Sequence, residues 1–127
     1  MLITKHIIPE FVDARGAISK VLDDKGLAIK SILHITSKKG SIRSNHYHKK
    51  DSHYCFLVSG KLEWHEKPVG GGEISIAILG AGDLVYTPPM TIHAVRALED
   101  SEFFAFATEA RNQDDYEADT VRVTLIQ

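Results

Sequence analysis

A chain of 127 residues that is 43% hydrophobic and 25% charged has the size and composition of one domain with its own core, spanning residues 1–127. Fifteen basic against seventeen acidic residues give a net charge of −2 with no basic block, which argues against nucleic acid or an anionic membrane as partner and leaves a small-molecule substrate. Cys55 is the only cysteine, so an intramolecular disulfide and a four-cysteine zinc site are both excluded, and the opening MLITKHIIPE with no later run of eighteen apolar residues predicts a cytoplasmic setting without secretion signal or membrane span.

In chain order, residues 2–8, 28–36, 53–59, 62–65, 74–79, 84–86, 92–98, 103–108 and 121–126 are short, rich in β-branched and aromatic side chains, and predicted as strands. The alternation Ile42, Ser44, His46, His48 predicts another, with Arg43, Asn45 and Tyr47 on its opposite face. Between them lie turn-forming clusters at residues 13–16, 23–26, 38–40, 59–60, 68–72, 80–83 and 88–89. Ser59-Gly60 reads as a tight hairpin and residues 67–72 as a longer one. The acidic stretch Asp114, Asp115, Glu117, Asp119 reads as a solvated surface turn, and no amphipathic helix is expected. Many short strands at this spacing predict an all-β barrel or sandwich.

Histidines carry the chemistry. His46 and His48 are two apart, so on a strand both imidazoles leave one face and can share an ion. His53 and His93 extend a regular spacing: Gly40, five residues, His46, one, His48, four, His53, six, Gly60; then Gly82, five, Pro88, one, Met90, two, His93, three, Ala97. This pattern resembles the two motifs of the cupin superfamily, G-x5-H-x-H-x(3,4)-E-x6-G and G-x5-P-x-G-x2-H-x3-N, with His53 in place of glutamate, Met90 in place of glycine and Ala97 in place of asparagine. The resemblance implies a jelly-roll-like barrel, a double-stranded β-helix, with core motifs at 40–60 and 82–97. It also implies one divalent transition metal ion (Zn, Fe, Ni, Mn or Cu) held by His46, His48, His53 and His93, and pairing of two protomers as a homodimer through exchanged edge strands.

An all-imidazole sphere leaves the ion its full charge, which suits Lewis acid chemistry on a carbonyl or enolate. His53, Cys55 and Leu57 should point together, so Cys55 borders the site as a small buried residue. Trp64, Phe103, Phe104 and Phe106 read as core, and Tyr86 as a residue that can stack on a substrate ring. The stretch Phe11-Val-Asp-Ala-Arg-Gly16 and the stretch Arg43-Ser-Asn-His46-Tyr-His48-Lys49 are similar to elements of cupin-fold deoxysugar epimerases and nucleotide-sugar ketoisomerases. That similarity implies a sugar isomerase or epimerase in which Arg15 and Arg43 grip a diphosphate and, where no metal is bound, His46 and His48 act as acid and base. An iron(II) dioxygenase and a non-catalytic metal- or ligand-binding cupin are the alternatives left open.

Overall fold

Alternating inward apolar and outward polar residues fold the chain into two antiparallel five-stranded sheets packed face to face, seen here in a computed structural model that describes residues 1–127. The strands are β1 (Leu2–Thr4), β2 (Phe11–Asp13), β3 (Gly16–Ile18), β4 (Ser31–Ser37), β5 (Ile42–His48), β6 (His53–Ser59), β7 (Lys61–Pro68), β8 (Ser75–Gly80), β9 (Leu84–Thr87), β10 (Thr91–Ala97), β11 (Ser101–Ala107) and β12 (Thr120–Arg122). A single helix, α1 (Gln113–Asp119), precedes the last strand. One sheet runs β1-β9-β6-β11-β4, the other β12-β5-β10-β7-β8, and β2 and β3 form a separate hairpin. This is the all-β barrel that the resemblance implies.

Between the sheets Leu57, Leu62, Trp64, Leu79, Val85, Val95 and Phe103 make one apolar cluster at the closed end. Each such side chain contributes about 1.5–3 kcal/mol by leaving water, and together they form the floor on which the polar end of the barrel rests. Phe103 points into this cluster, whereas Phe104 and Phe106 lie on the outer face of β11, stacked with ring centroids 6.4 Å apart. No helix is long and apolar enough to cross a membrane.

Four local features differ from the sequence expectation. The first strand stops at Thr4 because Asp83 captures the next two residues, ion-paired to Lys5 and accepting from the His6 backbone N–H at 2.7 Å. Ser59-Gly60 is no hairpin: β6 and β7 belong to different sheets, and the turn carries the chain from one to the other. Gly60 has φ +97°, and a Cβ there would fall 2.2 Å from Ser101 Oγ, so the crossing requires glycine. The last strand ends at Arg122, and beyond it the Asn45 side chain holds the tail by accepting from Leu125 N at 2.8 Å and Ile126 N at 3.1 Å.

The acidic stretch is a helix instead of a turn. Asn112 caps it, its Oδ1 accepting from Asp115 N at 3.0 Å, and Asp114 and Asp115 occupy the first turn, where the positive end of the helix dipole favours carboxylates.

Candidate metal centre

β5 delivers His46 and His48, β6 delivers His53, and β10 delivers His93, which pairs directly with His46 across the β10/β5 ladder. The four rings converge. Centroid separations are 4.6 Å for His46 and His48, 4.7 Å for His46 and His93, 4.8 Å for His53 and His93, and 5.9 Å for His48 and His53. They line a cavity of about 320 Å³ at the open end of the barrel, above the apolar floor.

Burial keeps these rings neutral. It pushes His46 down to about 3, with the neighbouring His93 and His48 adding to the effect, and it brings His93 to about 4. His53 is held well below the ordinary histidine value by burial and by the other three rings, and His48 is lowered by burial against the opposing pull of Asp51 and Asp119.

Hydrogen bonds select the tautomers. His93 Nδ1 donates to the Thr91 carbonyl at 3.1 Å, and His48 Nδ1 donates to Thr120 Oγ1 at 3.2 Å, since that hydroxyl's own proton goes to Tyr116 O at 2.6 Å. Both rings therefore keep Nε2 as a free lone pair. Ligand atoms of His46, His48 and His93 lie within 4.8 Å of one another, and so do those of His48, Asp51 and His53. Neutral imidazoles with oriented lone pairs are the donor set that zinc, nickel, copper or iron(II) requires, so the residues present fit such an ion.

Trp64 stacks on His93 with ring planes 6° apart, and its indole N–H donates to Glu66 Oε2 at 2.9 Å, where Thr87 Oγ1 also donates at 2.9 Å. Burial raises the Glu66 carboxyl, while these two donors partly stabilise its charged form.

Of the other sequence candidates, Cys55 lines the cavity but lies in the core, its thiol pushed up to about 12 by burial. Arg43 was expected on the face opposite His46. The structure turns it round: Ser44 (φ 71°) and Asn45 (φ 56°) form a bulge in β5, so Arg43 comes to the cavity rim and donates to Ser37 Oγ at 2.7 Å. Tyr86 packs on Tyr54 at 4.7 Å on the outer face of its sheet, because it alternates with the inward Val85, and does not border the cavity. Arg15 sits exposed in the β2/β3 turn, its guanidinium donating twice to Asp13 Oδ2, and is likewise away from it.

Four residues at the site carry no motif of their own. Tyr116 projects from α1 to within 5.6 Å of the His48 ring, and the Arg111 guanidinium lies 4.2 Å above the Tyr116 ring. Asp119 Oδ2 approaches His48 Nδ1 at 3.7 Å, and Asp51 Oδ2 approaches His53 Nδ1 at 4.0 Å. The signal in sequence was Asn112 three residues before Asp115, a helix cap that turns an apparent acidic loop into a two-turn helix with Tyr116 on one side. His48, Asp51, Arg111 and Tyr116 also line an adjoining groove of about 570 Å³, where Lys50 and Arg111 have no carboxylate within ion-pairing distance.

Among known proteins, the cupin domain family matches residues 33–108, a span that holds all four histidines. No curated protein matches the chain. Among solved structures, a 3,4-ketoisomerase from Helicobacter canadensis superposes with TM-score 0.77 at 18% identity, covering 96% of this chain and 91% of its own. The sugar 3,4-ketoisomerase QdtA from Thermoanaerobacterium thermosaccharolyticum, solved with TDP, gives 0.75 at 19%, covering 94% and 87%. The dTDP-4-dehydrorhamnose 3,5-epimerase from Sulfolobus tokodaii gives 0.69 at 22%, covering 83% and 69%. Likeness at these identities is a likeness of fold. With more than half its length matched and its strands in the same arrangement, the chain belongs to the cupin domain family.

Proposed function

We propose that this cupin is an isomerase or epimerase of a keto sugar presented as a nucleotide sugar, with one divalent transition metal ion held among His46, His48, His53 and His93. The observation that carries the reading is the convergence of four neutral imidazoles in one cavity beside unpaired cations. A ring brought down to about 3 or 4 is a weak general base at neutral pH, yet its lone pair is fully available to a Lewis acid. That balance favours ligation over proton transfer for His46 and His93. When bound, such an ion supplies Lewis acidity toward a keto oxygen.

The chain's own residues then bind and orient. Arg111 and Lys50, and Arg43 at the rim, suit the anionic diphosphate, while Tyr116 offers an aromatic face beside the histidines. If no metal is bound, His48 is the best base of the four, because Asp51 and Asp119 oppose the lowering of its pKa. The similar structures of sugar ketoisomerases and an epimerase support the substrate class.

The test is deuterium incorporation from D2O into dTDP-4-keto-6-deoxyglucose, followed by NMR, together with thermal denaturation in the presence of TDP. Exchange α to the carbonyl and a raised Tm are expected. No exchange and no shift would remove the reading, and oxygen uptake by the iron(II)-loaded protein would replace it with a dioxygenase.

The assembly we propose is a homodimer, supported by the exposed apolar residues Leu2, Ile8, Phe11, Val12 and Ile18 of the N-terminal segment. Light scattering should give twice the protomer mass.

A further inference from the structure

Resting on the metal reading above, we propose that Asp51 is a direct ligand of the ion, completing with His48 and His53 a two-histidine, one-carboxylate set through its Oδ2. Asp51 is the only carboxylate that lines the 320 Å³ cavity. Its side chain is more than nine-tenths buried, and its two oxygens are used differently. Oδ1 accepts from Thr108 N at 3.1 Å, Thr108 Oγ1 at 3.3 Å and Glu109 N at 3.0 Å. Oδ2 accepts nothing and faces the His53 ring, 4.0 Å from Nδ1.

Oδ2 is left open to the cavity, so its lone pairs are available to an ion there. The residue is also held in place from behind, its backbone N–H donating to Asp119 Oδ2 at 3.1 Å. The ligand atoms of His48, Asp51 and His53 lie within 4.8 Å of one another. Three donors sharing one ion at ~2.1 Å lie at most ~3.6 Å apart when equidistant, so the trio closes onto an ion by side-chain movements of ~1 Å. Charge points the same way: imidazoles alone leave a divalent ion uncompensated in a buried site, and Asp51 supplies one negative charge where His53 supplies none. A carboxylate in the sphere also widens the range of ions toward manganese and iron(II), which an all-imidazole site favours less.

The experiment compares the wild-type protein with Asp51→Asn, both purified without an affinity tag. The asparagine carbonyl oxygen can keep the bonds from Thr108 and Glu109, and circular dichroism and the metal-free Tm check that it does. Zn2+ affinity is measured by competition with a chromophoric chelator, and the ligand set by the visible spectrum of the Co2+ form. Direct ligation predicts an affinity loss of ~100-fold or more, the upper end of what losing a supporting partner costs, together with an altered Co2+ spectrum. Equal affinity, or weaker affinity with an unchanged Co2+ spectrum, overturns the ligand assignment while leaving the metal reading intact. A wild-type protein that binds no transition metal removes both. Should Asp51→Asn fail to fold, X-ray absorption of the wild-type Zn2+ form reads the same question: mixed imidazole and carboxylate scattering supports the assignment, and imidazole alone overturns it.

Discussion

His93 is fixed from two sides: Nδ1 donates to Thr91 O and Trp64 stacks on the ring plane, while Glu66 in turn orients Trp64. A ring so constrained meets an ion with little entropy left to lose. His48 is equally anchored through Thr120, but it is a wall of the cavity and lies outside the apolar cluster. His48→Ala is therefore expected to abolish stoichiometric metal while leaving a folded barrel, as elemental analysis and circular dichroism will show. Cys55 makes the opposite case. Its thiol borders the cavity but is pushed up to about 12, so iodoacetamide at pH 8 should leave it unmodified in the native protein and label it fully in denaturant. The four histidines were legible in sequence because ligand spacing on paired strands is periodic. Asp51, Arg111 and Tyr116 were not, because they reach the cavity from a loop and a capped helix, whose side-chain directions have no fixed period.

At the scale of elements, the bulge in β5 decides which residues face the cavity. Strict alternation places Arg43 outward, and one extra residue at Ser44 and Asn45 reverses everything before it, bringing Arg43 to the rim while His46 and His48 keep their side. Asn45 both adopts the positive φ and ties down the C-terminal tail with its side chain, bonding Leu125 and Ile126. Asn45→Ala removes three hydrogen bonds at ~1 kcal/mol each, so a loss of ~3 kcal/mol in denaturant unfolding is expected. Gly60→Ala should cost at least ~3 kcal/mol, combining left-handed backbone strain with overpacking against Ser101 and Asp100. Strand positions were readable from β-branched runs and turn residues. Strand partners were not: the same Ser59-Gly60 turn serves a hairpin or a sheet crossing, and only the packing of both sheets decides which.

For the molecule as a whole, four neutral histidines in one site make stability depend on pH. In the unfolded chain each ring protonates near its ordinary value of 6.5, whereas in the folded chain all four are lowered. Between these limits the unfolded state binds more protons, so stability is complete above pH 6.5 and is lost as pH falls, by up to ~1.4 kcal/mol per pH unit for each ring. Asp51 and Glu66, whose carboxyl groups are raised by burial, oppose this as pH falls toward their ordinary values and are two against four. The Tm of the metal-free protein is expected to fall steadily from pH 6.5 to 4.5, and a flat profile in thermal denaturation would contradict the neutral-ring assignment. The barrel as such was legible from the rhythm of strands and turns, while the β2/β3 hairpin was hidden because three-residue strands carry too little pattern to stand out.

The helix that brings Tyr116 over the histidines has seven residues and buries none of them, so its hold on the barrel comes from its C-terminal end, where Asp119 accepts from the backbone N–H groups of Lys49, Lys50 and Asp51 and Thr120 meets His48. Such a segment detaches at a far smaller free energy than the strands beneath it. Its amide protons should be the first in the C-terminal half to trade with deuterated solvent, and occupation of the cavity should slow that trade without altering the rate for β6 or β10. Access to the cavity is then governed by two turns of surface helix, leaving the barrel free to be rigid.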